Sequence, residues 1–326
     1  MKAIIHTAFG APTAVLQLCE IEQPALGADQ VLVRVEAVAL AKGDWLITRG
    51  LPYIARPSYG LRAPKQPVAG LEFAGRVVAI GADVSVDVAE IAPGDDVFGF
   101  SSGALAEFVA APASMLAKKP DNVTYAQAAA APVSGLAALQ ALRDEAKVQP
   151  GERVLIIGAS GGVGSFAVQI AKAIGAVVTG VASTRHLPLL RTLGADAVID
   201  YTRDEITAAG APYDVIIDIA GNRPVSLLRR ALTPDGRLII VGGSGGRWTM
   251  GFGRAIRAML LSPFVRQRLV GMISSPDGDA LRTLASMMAS GRLAPVVDST
   301  YPLPRAAEAI DLVGAGHGAG NLVITV

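Results

Sequence analysis

The chain has 326 residues, 51% of them hydrophobic, and a formal net charge of +1. That length and apolar content can fill two domain cores, which excludes a disordered chain, and the near-neutral balance lacks the basic footprint of a nucleic-acid binder. A lone cysteine, Cys19, excludes an intrachain disulfide and fits a cytoplasmic protein.

Met1–Gly10 carries no apolar run of signal-peptide length, and no stretch of about 18 apolar residues is present to span a bilayer. The most apolar tract, Ala126–Leu142, is broken by Pro132, Ser134 and Gln140 and reads as a buried helix. Neither a membrane nor a nucleic acid is an expected partner; a small molecule is.

From Met1 to about Tyr125 the sequence offers short strand-like runs between Gly and Pro: Val31–Val38, Gly75–Ile80 and Asp96–Phe100. They predict a compact antiparallel β domain. From Arg153 the pattern changes. Val154–Gly158, Val177–Ala182, Ala197–Ile199, Val215–Ile219 and Leu238–Val241 are apolar runs of buried-strand type, separated by helix-length segments such as Ser165–Ile174 and Pro224–Leu232. Buried strands alternating with helices predict a doubly wound parallel sheet. Arg247–Arg268 mixes Arg247, Arg254, Arg257, Arg266 and Arg268 with Leu, Met and Phe, and reads as the solvated face of an amphipathic excursion, with anion or partner binding as the alternative. The tail returns to a helix, Leu281–Ser290, then to the strand-like Val296–Val297 and Leu322–Val326.

The run Val154–Gly164 sets Gly158, Ser160, Gly161, Gly162, Val163 and Gly164 between a buried strand and a helix. Glycine permits a tight turn and close backbone approach, and a helix N-terminus offers unpaired N–H groups, so the context points to a dinucleotide pyrophosphate. The next strand ends at Ser183-Thr184-Arg185. NAD-specific folds carry an acid here for the ribose 2′-hydroxyl, yet no Asp or Glu occurs from Ser165 through Ala195. Arg185 with two hydroxyl neighbours suits a 2′-phosphate, hence NADPH.

With the turn come Val68–Gly75 (VAGLEFAG), Pro93–Gly99 (PGDDVFG), Gly43-Asp44-Trp45, Leu193–Tyr201 (LGADAVIDY) and the ending Leu322–Val326. Together these motifs resemble the medium-chain dehydrogenase/reductase superfamily, in its zinc-independent, quinone-oxidoreductase-like branch, over nearly the whole chain. The resemblance implies a GroES-like β-rich catalytic domain from residues 1–126 completed by 274–326, and a Rossmann domain over 127–273. It puts the pyrophosphate on Gly161–Gly164, the 2′-phosphate near Ser183, Arg185 and Tyr201, and the nicotinamide side near Gly221, Gly242, Gly243 and Asn321. It also implies a homodimer formed by pairing a Rossmann edge strand near Arg268–Ile273.

Catalytic zinc in the alcohol-dehydrogenase branch needs Cys, His and a further Cys or acid, and structural zinc there needs four clustered cysteines. One Cys and three His (His6, His186, His317) cannot supply both sets, and the ligand positions hold Ala41 and Leu71. The expected activity is NADPH-dependent hydride transfer to a quinone or an α,β-unsaturated carbonyl. An aldehyde or ketone reductase and a non-redox NADPH-binding protein remain as alternatives, because relatives carry polar residues where this chain has Ala41 and Ala137, and Lys where it has Asn321. Asp44, Trp45 and Tyr53 are the catalytic candidates, with Lys42 and Tyr59 nearby in sequence.

Overall fold

The computed structural model describes residues 1–84, 91–206, 212–221, 223–243, 246–316 and 318–326, with residue 252 described in its backbone only. The chain divides into two compact units, Met1–Leu136 with Pro276–Val326, and Ala137–Ser275. The sequence puts the joins at 126/127 and 273/274. Nothing in the alanine-rich run Ala126–Leu142 marks a change of unit, so composition could not fix the first join.

In the first unit, β1 (Lys2–His6) and β2 (Leu16–Glu20) form an antiparallel pair. The long strand β3 (Gln30–Leu40) pairs antiparallel with β4 (Glu72–Ile80), and β4 in turn with β5 (Asp96–Phe100). Strand β6 (Phe108–Pro112) also pairs with β3, and β7 (Leu116–Lys118) closes on β5. Val31, Val33, Val35 and Val38 of β3 join Phe73, Val97 and Ile324 in one buried cluster. Each such side chain contributes roughly 1.5–3 kcal/mol.

A helix, α1 (Lys42–Arg49), leaves the end of β3, and a second, α2, spans Ala131–Leu139. The predicted helix over Ala126–Leu142 is divided: Tyr125–Ala129 precedes α2, and a π-helical turn, Gln140–Glu145, follows it. Pro132 explains the first break, since proline is accepted in a helix's opening turn but not in its interior.

The second unit holds one six-stranded, all-parallel sheet. Its strands β8 (Arg153–Ile157), β9 (Val177–Ala182), β10 (Ala197–Asp200), β11 (Tyr213–Asp218), β12 (Leu232–Ile240) and β13 (Arg268–Gly271) lie in the order β10-β9-β8-β11-β12-β13. That is the dinucleotide-binding order, with the reversal of direction at β8 and β11. Helices α3 (Gly162–Ile174), α4 (Leu187–Thr192), α5 (Val225–Arg230) and α6 (Phe252–Leu261) connect the strands. Leu155, Ile157, Ile216, Leu238 and Leu269 pack into one core, as expected where both sheet faces are covered.

The tail supplies α7 (Gly278–Ala289), β14 (Val297–Pro302), α8 (Ala306–Ala315) and β15 (Asn321–Thr325), and β15 pairs with β3 in the first unit's sheet. One detail departs from the all-antiparallel expectation. Strands β14 and β15 are parallel, because α8 provides the crossover that parallel neighbours require.

Candidate functional site

Strand β8 runs into the glycine turn, where each glycine has a different duty. Gly158 has φ +84°, a conformation side chains rarely adopt. A Cβ on Gly164 would stand 2.1 Å from the Gly158 carbonyl oxygen, so this glycine lets α3 sit against the strand end. Gly161 is different. Its φ is −75°, and a Cβ there would meet only the Gly158 oxygen, at an ordinary 3.6 Å. Gly161 is the N-cap of α3 and supplies no side-chain acceptor, so no cap covers the amides of the first helical turn. Gly162, Val163 and Gly164 form that turn; Ser160 is buried beside them.

At the end of β9, Ser183, Thr184 and Arg185 open a short turn. Arg185 Nε donates to His186 Nε2 at 2.9 Å, and Tyr201 is half exposed. The Thr184 hydroxyl is already engaged. Its proton is committed to Asp200, which also accepts from the Thr202 hydroxyl at 2.7 Å and amide at 3.0 Å. These bonds, led by Thr184, hold the Asp200 carboxyl below its ordinary range. Thr184 therefore organises the loop, and a carboxylate lies beside Arg185's turn although none occurs within that stretch of sequence.

Beyond β11 and β12, Gly221, Gly242 and Gly243 crowd together: a Cβ on Gly221 would lie 2.4 Å from the Gly243 Cα. The fully buried Asp218 accepts from the Gly221 amide at 3.0 Å and pairs with Arg254 Nη1 at 2.6 Å. Removing either partner of so buried a pair costs about 3–5 kcal/mol.

In the first unit, a cavity of about 250 Å³ is lined by Asp44, Ile47 and Thr48 of α1, by His6, and by Tyr59 and Leu71 among others. Helical periodicity explains that set, since positions 44, 47 and 48 share a face. Lys42, Trp45 and Arg49 lie on the opposite face. The Lys42 ammonium stands 4.4 Å from the Trp45 ring centre and donates to the Gly314 carbonyl at 2.6 Å. A Cβ on Gly314 would collide with the Trp45 indole nitrogen, so that ring packs against α8 and is not on the cavity wall. Tyr53 is also absent from the wall and lies under the Arg56 guanidinium, 4.7 Å from its ring centre. Among the catalytic candidates, the cavity takes in Asp44 alone, with Tyr59 as its aromatic. The Tyr59 hydroxyl donates to the Pro52 carbonyl at 3.1 Å.

Asp44 caps α1 by accepting from the Ala41 amide at 2.8 Å, and burial pushes its carboxyl up to about 6. The Thr48 hydroxyl donates to the Asp44 carbonyl at 2.7 Å, so the His6 Nε2–H donates to Thr48 at 2.9 Å. Burial lowers His6 to about 4, which keeps it neutral at physiological pH.

Sequence reasoning missed Glu72. It is fully buried on β4, where Oε2 accepts from the Val133 amide at 2.7 Å while Oε1 has no partner. Burial first, and the nearby Asp44 charge as well, push its carboxyl well above the ordinary range. The signal was an acid within the apolar run Leu71–Ala74. Asn321 is buried as well: its Oδ1 accepts from Ser134 at 2.8 Å, and its Nδ2 has no partner.

Zinc does not fit these residues. Among the described residues no group of three His, Cys, Asp or Glu could hold a metal; Ala41 and Leu71 offer no donor, and His317 lies outside the described residues. No helix among the described residues is long and apolar enough to cross a membrane.

A doubly wound parallel sheet in this strand order, with uncapped helix amides after its first strand, has the architecture found in dehydrogenases and reductases. Residues 27–121 match the alcohol dehydrogenase GroES-like domain, and residues 193–324 match a domain described as zinc-binding dehydrogenase. The chain is 32% identical to a chloroplast envelope quinone oxidoreductase homolog of Arabidopsis thaliana, over 99% of this chain and 98% of that one. It is 30% identical to an NADPH-dependent alkenal/one oxidoreductase, chloroplastic, of the same plant, over 99% of this chain and 79% of the relative. The quinone oxidoreductase structure from Coxiella burnetii superposes with a TM-score of 0.86 at 28% identity, covering 100% of this chain and 99% of that one. The chain belongs to the medium-chain dehydrogenase/reductase superfamily, in its quinone-oxidoreductase-like branch. It is an oxidoreductase of a family that uses a nicotinamide cofactor.

Proposed function

We propose that the chain is a zinc-independent, NADPH-dependent reductase of quinones or α,β-unsaturated carbonyl compounds. One observation carries the cofactor half of this reading: the fold does not require a glycine at Gly161, where a Cβ would meet only one carbonyl oxygen at 3.6 Å, so its bareness serves a ligand. The relatives named as quinone oxidoreductase and alkenal/one oxidoreductase support the substrate half.

The amides of Gly162, Val163 and Gly164 would hold the pyrophosphate, and Arg185 with Ser183 and Tyr201 the 2′-phosphate. Gly221, Gly242 and Gly243 would let backbone approach the nicotinamide side. The bound cofactor supplies the hydride. Addition at the β-carbon of an enone places charge on the carbonyl oxygen, and a proton must then reach the α-carbon. The Asp44 carboxyl, pushed up to about 6 by burial at the cavity wall, is the group suited to deliver it. Tyr59 shapes the same wall.

We further propose a homodimer. Among the described residues, strand β13 ends the sheet with one side unpaired, and beside it Ile256, Met259, Leu260 and Phe264 form an outward apolar stripe, 48%, 51%, 68% and 84% exposed. A second copy would cover both. The single thiol fits a reducing compartment such as the cytoplasm, although several plant relatives are named as chloroplastic.

The test is NADPH consumption with a quinone, an α,β-unsaturated ketone and a saturated aldehyde. Turnover of either of the first two supports the proposal. Turnover of the aldehyde alone would make the protein an aldehyde reductase, and cofactor binding without turnover on the panel a non-redox binder.

A further inference from the structure

The Rossmann unit has an electropositive hollow whose lining includes no residue of the glycine turn. Its volume is about 610 Å³, and Arg223, Arg254 and Arg257 line it together with Gly221 and Thr249. Arg254 and Arg257, three apart on α6, present their guanidinium groups on one face. Among the described residues, no Asp or Glu lines the hollow. The sequence is consistent with that: from Gly236 through Pro276 it has no acid, but carries Arg237, Arg247, Arg254, Arg257, Arg266 and Arg268.

Of the three arginines, only Arg254 is matched by a carboxylate among the described residues. Arg254 Nη1 donates to Asp218 at 2.6 Å and to the Arg223 carbonyl at 2.7 Å, which fixes the side chain, while its Nε and Nη2 are buried without an acceptor. Buried guanidinium nitrogens without partners are costly, and they leave Arg254's positive charge only partly matched beside the hollow. Among the described residues, Arg223 and Arg257 have no ion-pair partner either. The arginine-rich excursion is thus a solvated face at Arg266 and Arg268, which pair with Asp235 and Glu145 in the open, while Arg254 turns inward.

We propose that this hollow is an anion site, taking a compact oxyanion, phosphate or carboxylate, on Arg223, Arg254 and Arg257, and that it is distinct from the pyrophosphate site at Gly161. It stands on the arginine geometry and does not depend on which carbonyl compound the enzyme reduces.

The test is calorimetric titration of inorganic phosphate into the full chain at low ionic strength, with NADPH held saturating. One phosphate should bind the wild type. Arg223→Gln/Arg257→Gln should weaken it by about tenfold or more for each guanidinium removed, from the usual strength of a hydrogen bond to a charged group. Both arginines reach solvent, so the double variant should keep its melting temperature; if it does not, the Arg257→Gln single variant serves. Gly161→Val, titrated without cofactor, should retain phosphate binding. Steady-state kinetics then give the source of the anion: phosphate competing with the carbonyl substrate marks the site for that substrate's own anionic group, and phosphate not competing marks it for a free anion. Absence of binding to the wild type, unchanged affinity in the double variant, or loss in Gly161→Val would each overturn the proposal.

Discussion

Replacing Gly161 and Gly164 one at a time separates a glycine kept for a ligand from one kept for the fold. At Gly161 the backbone is extended, and a new Cβ would touch only one carbonyl oxygen, at 3.6 Å. Gly161→Val gives up a tolerated N-cap residue for a poor one, but also reduces the freedom of the unfolded chain; the two effects, each about 0.5–1 kcal/mol, nearly cancel. The variant should therefore melt close to the wild type. Its valine methyl groups would stand over the α3 amides, and dinucleotide affinity should drop by at least about tenfold, or about 1.4 kcal/mol, for NADPH and NADH alike. At Gly164 the Cβ would sit 2.1 Å from the Gly158 oxygen and 2.7 Å from the Ala159 carbonyl carbon, so even alanine must move backbone. Gly164→Ala should lose about 1–3 kcal/mol of stability, as overpacking does. Thermal melts and fluorescence titration with both dinucleotides read the two effects. A folded Gly161→Val chain with unchanged affinity, or a Gly164→Ala chain as stable as wild type, would refute the division of labour.

Arg185→Ala should weaken NADPH binding by roughly 10- to 100-fold and leave NADH nearly unchanged, with the NADPH advantage shrinking as salt rises; paired titrations check this, and equal losses for both cofactors would count against Arg185. Asp44→Asn keeps an acceptor for the Ala41 amide, so α1 should remain, while turnover falls by about 100-fold or more and the activity limb near pH 6 disappears. Its relative stability should move the other way: a carboxyl raised from 3.8 to about 6 destabilises the wild type as pH climbs through that interval, so the Asn variant should gain by up to about 3 kcal/mol between pH 4 and pH 7 in urea denaturation. His6, lowered from 6.5 to about 4, has the opposite sign; its contribution is complete above pH 6.5 and is lost as pH falls through 4, so His6→Gln should blunt the acid-side loss in a pH series of melts. Elemental analysis should find no stoichiometric zinc, and one tightly bound zinc per chain, with activity lost to a chelator, would contradict the metal-free reading.

The parallel sheet was legible because buried strands announce themselves as continuous apolar runs, and the glycine turn because its spacing carries a backbone geometry. What the sequence could not give was direction around a helix. Asp44 and Trp45 are neighbours in the chain, yet 3.6-residue periodicity turns them to different faces of α1, the acid to the cavity and the indole to Gly314. Tyr53 and Tyr59 were equally plausible until the loop's path set one against Arg56 and the other on the wall. Asp200 escaped notice for a related reason. A search for an acid at the ribose end of β9 follows the chain, but β10 lies beside β9 in the sheet and delivers its last carboxylate to the same turn. Because Thr184 and Thr202 occupy both Asp200 oxygens and burial leaves little of the carboxylate to solvent, that acid is better placed to fix the loop than to receive a ribose hydroxyl. The proposed 2′-phosphate site therefore still rests on Arg185, even with a carboxylate beside its turn.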